Sequence, residues 1–275
     1  MSKKYNEKYY ARYGDPRTSQ WLLMDNPIYV FILVAAYFII TKWILPRVTR
    51  NRNPFELKKL TIVFNFGMMS LNAWVFYELL SLTWFKPNFN WLCQSVDWSN
   101  SEDALRVAKA GWIFLITALL EHLTTVLIVL KGKDSNLSGL HRFLQIQSPI
   151  VVWYGLKFAP GGYNLVYMTL SSFINALAHS HYGTLAVMPF LRHPHWERFT
   201  LPAIYTIQFT IVLVYNTQLH FFPAKNCKLS FFILRLNIVS AILFFIFAKD
   251  FFLPKFKNKG SKVQFSEPEK AKKIE

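Results

Sequence analysis

Apolar residues in this chain form long stretches that are separated by short polar and basic segments. The stretches predict helices over residues 27–45, 61–83, 112–130, 140–156, 164–187, 200–220 and 229–249. Most of them approach the roughly 20 residues that an α-helix needs to cross the hydrocarbon core of a bilayer. The pattern therefore predicts an all-α polytopic membrane protein with seven transmembrane helices.

The third, fourth and fifth predicted helices differ from the others because titratable and polar residues interrupt them. These residues are Glu121, His122, His141, Asn175, His179 and His181. Polar groups at membrane depth are costly unless they face a cavity or one another. We therefore expect these three helices to carry the functional site. His179 and His181 are two residues apart on one helix, so they cannot both face one substrate.

Charge adds an orientation to this pattern. The net charge is +16 although 53% of the residues are hydrophobic, so the basic residues are concentrated outside the apolar stretches. Short cytosolic loops retain Lys and Arg, which predicts a lumenal N-terminus and a cytosolic C-terminus. We therefore divide the chain into a lumenal segment (1–26), a transmembrane domain (27–250) and a basic cytosolic tail (251–275).

The C-terminal lysines and the cysteines agree with that orientation. Lys272 and Lys273 are the fourth and third residues counted from the C-terminus, a spacing typical of the cytosolic signal that returns membrane proteins to the endoplasmic reticulum. Cys93 and Cys227 both fall on the predicted lumenal side, where disulfides persist. We expect them to form a disulfide, and two free thiols are the alternative.

Four sequence motifs resemble the ELO family of very-long-chain fatty acid elongases. They read DPRTSQWLLMDNP, NRNPFELKK, CQSVDWSNSEDALRVA and KFAPGG, in the family's order and spacing. The resemblance implies seven transmembrane helices in the endoplasmic reticulum membrane, six of them forming an inverted barrel around an acyl tunnel. It also implies the family reaction, in which malonyl-CoA condenses with a long acyl-CoA to give a 3-oxoacyl-CoA, carbon dioxide and free CoA.

The family's HxxHH box falls on the sequence HRFLQ. His141 is the only box histidine that is retained, and Leu144 and Gln145 occupy the other two histidine positions. Leu144 cannot accept a proton, and Gln145 can form hydrogen bonds but has no useful basicity. The three positions share one helical face, so the replaced residues lie on the side expected to meet substrate. One histidine plus glutamine does not form a transition-metal site, so we expect no metal ion.

The segment after KFAPGG supplies the remaining catalytic candidates. Aligned without gaps, Asn175 replaces a family histidine, His179 replaces a tyrosine, and Tyr182 is retained. A shift of four residues would instead align His179 with the family histidine. The resemblance thus makes His141, Gln145, Asn175 and His179 the candidates for catalysis.

Substrate-binding candidates follow from the same resemblance. The family's acidic motif keeps Glu121, but Thr124 stands in place of an aspartate, and we expect Glu121 to find a partner in His122 or His141. Lys131 and Lys133 belong to a basic cluster that would attract the phosphates of CoA. With Tyr182, these residues form the predicted substrate site.

Two functions remain open from the sequence. The first is an elongase condensing enzyme that works with an altered site on malonyl-CoA and acyl-CoA, without a further cofactor. The second is a catalytically inactive pseudo-elongase that binds acyl-CoA or associates with active elongation enzymes. Loss of a single general base commonly costs about 10²- to 10⁴-fold in rate, which favours the second function. The partners expected are the membrane, acyl-CoA lipids, other elongation enzymes or a second copy of the chain, and no nucleic acid.

Overall fold

The computed structural model describes residues 13–132, 137–192, 195–223 and 227–252. Within these residues the chain is helical, and no β-strand occurs. Loops and short turns join the helices. The prediction of an all-α fold is therefore confirmed for the described part of the chain.

The helices follow one another along the chain in long stretches. α1 (Ile28–Ile39) continues through a π-helical segment (Ile40–Ile44) into α2 (Leu45–Thr49), and α3 (Lys58–Leu79) continues into a second π-helical segment (Leu80–Trp84). α4 (Glu102–Leu120) and α5 (His122–Leu130) meet at Glu121. The remaining long helices are α6 (Gly139–Phe158), α7 (Leu165–Val187), α8 (Leu201–Phe221) and α9 (Phe231–Phe252).

The helices expose apolar side chains and bury polar ones, as expected of a protein in a lipid bilayer. Four helical stretches are long and apolar enough to cross a membrane: Ile28–Thr49, Lys58–Trp84, Glu102–Leu130 and Phe231–Lys249. Large apolar side chains such as Val63 (71% exposed) and Ile207 (61% exposed) point outward, whereas polar Asn72 and Gln208 are buried. Because polar groups must be satisfied inside a protein that lipid surrounds, this distribution is that of a helical, multi-pass membrane protein.

The helix that contains the third apolar stretch begins at Glu102, ten residues before the predicted start at residue 112. Ser101 is the N-cap residue, and its Oγ accepts a hydrogen bond of 3.3 Å from the backbone N–H of Ala104. Glu102 and Asp103 in the first turn complement the positive end of the helix dipole. Apolar periodicity missed this start because the first turns of the helix are polar.

The segment before α1 packs against one end of the helices instead of extending away from them. Asp15 and Thr18 are fully buried. The backbone N–H of Asp15 donates to the carbonyl of Lys157 at 2.8 Å. The Arg17 guanidinium pairs with Asp15 at 2.8 Å and donates to the carbonyl of Asp97 at 3.1 Å. These contacts bring three of the four sequence motifs together.

A disulfide between Cys93 and Cys227 joins two loops at this same end, which we call the disulfide end. Nearby, Gly162 adopts a left-handed φ of 58°, and a methyl group placed on it would lie 2.6 Å from the backbone nitrogen of Val96. Glycine is therefore required there, both for the backbone conformation and because the turn that contains Gly162 approaches the loop around Val96 closely. The KFAPGG motif thus forms a tight turn between α6 and α7, which its proline and glycines favour.

Candidate functional site

A buried pair of side chains connects α4 to α7 at the centre of the helices. Glu121 Oε1 lies 2.6 Å from His179 Nε2, and His179 Nδ1 lies 2.9 Å from Asn65 Oδ1 on α3. His179 is 4% exposed and Glu121 is 17% exposed, so the pair is largely removed from solvent. Glu121 thus pairs with His179 rather than with His122 or His141, because it ends α4 and faces the close contact between α3 and α7.

The neighbouring hydrogen bonds indicate which atoms of this pair carry hydrogen. Asn65 Nδ2 donates to the carbonyl of Thr61 at 2.8 Å, so Asn65 Oδ1 is the atom that faces His179. An amide oxygen only accepts, and His179 Nδ1 must therefore carry a hydrogen. A further proton lies between His179 Nε2 and Glu121 Oε1, since two acceptors cannot approach to 2.6 Å without one. The pair therefore holds an exchangeable proton inside the protein.

His141 forms a second cross-helix pair. The Oγ of Ser138 caps α6 by accepting from the backbone N–H of His141 at 3.0 Å, which places this histidine in the first turn. From there His141 Nε2 reaches Thr125 Oγ1 on α5 at 2.9 Å. The hydroxyl of Tyr37 on α1 lies 3.2 Å from the same Thr125 oxygen. Three separate helical stretches thus converge on the Thr125 hydroxyl.

His122 and Gln145 are the last members of this set of polar residues. Together with Tyr37, Thr125, His141 and the Glu121–His179 pair, we call them the polar centre. His122 Nε2 lies 3.0 Å from the backbone carbonyl of Gln145, and its ring stacks on that of Tyr37 with centroids 4.2 Å apart. Gln145 is 9% exposed, and its Oε1 has no hydrogen-bond partner in the described part of the structure. An unpartnered buried acceptor is uncommon. Gln145 Oε1 is thus a buried acceptor that the described residues leave without a hydrogen bond.

Other predicted site residues lie apart from this centre. Asn175 accepts from the Tyr205 hydroxyl at 3.4 Å, and Lys131 Nζ donates to Thr61. The rings of Tyr182 and His181 are 5.6 Å apart, and His181 also packs against Trp196 with centroids 4.8 Å apart. His179 and His181 therefore face different surroundings, as their spacing predicted. The predicted residues Lys133, Lys272 and Lys273 lie outside the described residues.

Sequence reasoning did not include Tyr37 and Asn65 in the site. Asn65 carried a usable signal, because Asn72 follows it by seven residues and both therefore lie on one face of an otherwise apolar helix. Both asparagines are buried. Tyr37 carried no such signal, since one tyrosine within an apolar stretch is also typical of a membrane interface.

The fold and the polar centre define a class of protein: a helical membrane protein with acid–base side chains buried between its helices. Among the described residues, no group of three or more His, Cys, Asp or Glu residues is placed to hold a metal ion. The side chains that converge are instead a carboxylate, imidazoles, hydroxyls and an amide. These groups can exchange protons and donate hydrogen bonds.

Comparison with known proteins identifies the family. Residues 22–264 match the model of the ELO family, described as the GNS1/SUR4 family. The chain is 31% identical to very long chain fatty acid elongase 1 of Mus musculus over 86% of this chain and 85% of the relative. It is 30% identical to the Homo sapiens protein of the same name over the same shares of the two chains. The chain therefore belongs to the ELO family, which supports a role in very-long-chain fatty acid elongation.

Proposed function

We propose that this protein is a condensing enzyme of very-long-chain fatty acid elongation with an altered site. The reaction joins malonyl-CoA to a long acyl-CoA and gives 3-oxoacyl-CoA, carbon dioxide and CoA. The observation that supports this proposal is the presence of two cross-helix pairs inside the protein, Glu121 with His179 and Thr125 with His141. Family membership supplies the reaction, and these side chains supply acid–base groups for it.

The chemistry requires a way to accept the acyl group and a way to stabilise negative charge on thioester oxygens. Decarboxylation of malonyl-CoA produces an enolate, and hydrogen-bond donors aimed at its oxygen lower the barrier. The Gln145 carboxamide is suited to this task through its Nε2, which carries two N–H donors, whereas its unpartnered Oε1 can only accept. The Glu121–His179 pair supplies a proton that can move without a change in the total charge of the site.

The wider arrangement that we propose follows the sequence predictions. The seven long helical stretches of the described residues would all cross the endoplasmic reticulum membrane, with the disulfide end in the lumen and the C-terminus in the cytosol. Lys131 lies at the opposite end, where the backbone N–H of Phe55 donates to the carbonyl of Leu130 at 3.1 Å. Positive charge there would draw the phosphates of CoA to the entrance of the site.

A second candidate function is a pseudo-elongase that binds acyl-CoA without turnover. The observation that favours it is that ring nitrogens of His122, His141 and His179 all bond to protein atoms. A histidine that is held in this way is less available to substrate. In this role the protein would act through association with active elongation enzymes.

Purified protein in lipid nanodiscs distinguishes the two functions. The protein is supplied with malonyl-CoA and a panel of long acyl-CoAs, and 3-oxoacyl-CoA is measured by mass spectrometry. We expect product, and a decrease of about 10²- to 10⁴-fold in His141→Ala, because that change removes a general base. The control variant is Thr210→Val, on the outer part of α8, where the hydroxyl only bonds to its own helix.

The absence of product separates the remaining alternatives. If no product forms but acyl-CoA raises the unfolding temperature, the protein is a binder and the condensing function is wrong. A ligand that binds only the native state must raise the apparent stability. If neither product nor stabilisation is observed, both proposed functions are wrong.

A further inference from the structure

The Thr125–His141 pair has the geometry of a nucleophile beside its base. Thr125 Oγ1 and His141 Nε2 are 2.9 Å apart and come from α5 and α6. Thr125 is 1% exposed. A hydroxyl is a weak nucleophile unless a base within hydrogen-bond reach removes its proton, and a neutral imidazole is such a base near neutral pH.

The surrounding hydrogen bonds allow the proton to move in the required direction. The Thr125 hydroxyl has one hydrogen, which it can donate to His141 Nε2 while its oxygen accepts from another group. The Tyr37 hydroxyl lies 3.2 Å from that oxygen and can donate to it. Stacking on His122 at an interplanar angle of 11° holds the Tyr37 ring in place. The order Tyr37 to Thr125 to His141 therefore satisfies all three groups.

No free thiol competes with Thr125 as a nucleophile. Cys93 and Cys227 are joined to each other, so neither offers a thiol. Leu144, one turn after His141, has no polar atom. Gln145 lies four residues after His141 and therefore on the same face of α6. Its carboxamide carries N–H donors, which suit the oxyanion that forms when a thioester is attacked.

We propose that Thr125 accepts the acyl group of a long acyl-CoA as an oxygen ester, with His141 as the general base. This inference rests on the proposed function, because it assumes that acyl-CoA reaches the polar centre. Thr125 Oγ1 attacks the thioester carbonyl carbon while its proton passes to His141 Nε2. The carbon–sulfur bond then breaks, and the departing CoA sulfur takes the proton from His141. The products are acyl-Thr125 and CoA.

The second half of the cycle releases Thr125. Malonyl-CoA loses carbon dioxide, and the resulting carbanion attacks the carbonyl carbon of the Thr125 ester. The ester carbon–oxygen bond breaks, and His141, protonated from the solvent, returns a proton to Thr125 Oγ1. This gives 3-oxoacyl-CoA and consumes one proton, as the net reaction requires. Without malonyl-CoA there is no carbanion to take the acyl group, so the ester persists.

The test is to supply the full-length protein in nanodiscs with palmitoyl-CoA alone and to locate any acyl adduct by peptide mass spectrometry. We expect the adduct on Thr125, and we expect it to resist neutral hydroxylamine, which cleaves an acyl-imidazole but not an oxygen ester. Thr125→Val should lose the adduct, and Thr125→Ser should retain it because serine keeps the hydroxyl. Thr210→Val should label like the unchanged protein, and His141→Gln should label far more slowly.

The outcomes separate this inference from the proposed function. An adduct that neutral hydroxylamine removes, or one that persists in folded Thr125→Val, places the acyl group elsewhere and overturns the inference. The condensing function would still stand if 3-oxoacyl-CoA is formed. An adduct on Thr125 without any 3-oxoacyl-CoA would support the inference and remove the condensing function. No adduct in correctly folded protein, judged by its unfolding temperature, would overturn the inference.

Discussion

Replacing His179 with leucine tests whether the buried pair with Glu121 stabilises the fold. The change removes the partner of a carboxylate that is 17% exposed and leaves it with only a 3.3 Å contact to the Thr124 hydroxyl. Removal of one member of a buried ion pair costs about 3–5 kcal/mol. Because Glu121 retains some exposure and one other partner, we expect a cost near the lower limit, about 3 kcal/mol.

The measurement is thermal unfolding in a mild detergent, followed by tryptophan fluorescence. At about 2–4 °C per kcal/mol for a chain of this size class, His179→Leu should lower the midpoint by about 6–12 °C. Asp103→Asn is the matched control, because it breaks an ion pair with Lys86 in which both side chains are about half exposed. Such an exposed pair contributes only about 0–1 kcal/mol.

A double variant identifies the cause of the loss. Glu121→Leu together with His179→Leu removes both polar groups, so no unpaired carboxylate remains in the interior. We expect the double variant to be more stable than His179→Leu alone, since well-packed apolar residues often replace a buried ion pair without loss. If His179→Leu loses no more stability than Asp103→Asn, the pair does not stabilise the fold. If the double variant is no more stable than His179→Leu, the unpaired carboxylate is not the cause of the loss.

Further predictions concern the disulfide end. Cys93→Ser should cost up to about 5 kcal/mol by the loop-closure argument, because the disulfide with Cys227 spans 134 residues. Equal unfolding midpoints of the unchanged protein with and without dithiothreitol would contradict this. Gly162→Ala should lower the unfolding midpoint, because φ is 58° and a methyl group would contact the backbone of Val96. An unchanged midpoint would show that the turn at Gly162 can move away from that backbone at no cost. The backbone N–H of Ser99 bonds to the Asp97 carboxylate and lowers its pKa in the folded protein. The ionised carboxylate therefore stabilises the fold at a pH above the pKa of the unfolded chain, and this stabilisation is lost as the pH falls through the pKa of the folded protein. Asp97→Asn should therefore flatten the acid side of the stability profile below about pH 4, and parallel profiles would contradict the assignment.

Much of the fold follows from apolar patterning. Long apolar stretches predicted helices in nearly every place where the structure has them, because a chain in lipid must satisfy its backbone hydrogen bonds locally. The main difference, the start of α4 at Glu102, depends on a capping interaction at Ser101 that apolar counting does not register. The turn at KFAPGG has a local cause, because proline restricts the backbone angles and glycine extends their allowed range.

The candidate site was predictable only in part. The resemblance directed attention to His141, Gln145 and His179, and all three contribute to the polar centre or its partners. The sequence could not show which groups pair, because each hydrogen bond joins different helical stretches. His179 and Asn65, for example, are separated by 114 residues.

The sequence by itself determined that the chain is helical, that it lies in a membrane, and where its polar residues interrupt the apolar stretches. These properties depend on the local order of apolar and polar residues, which a single chain carries in full. Only the tertiary structure decided that Glu121 pairs with His179 and that Thr125 lies against His141. Those pairs depend on how α3, α5, α6 and α7 rotate and approach one another, and that geometry is set by the packing of all the helices together.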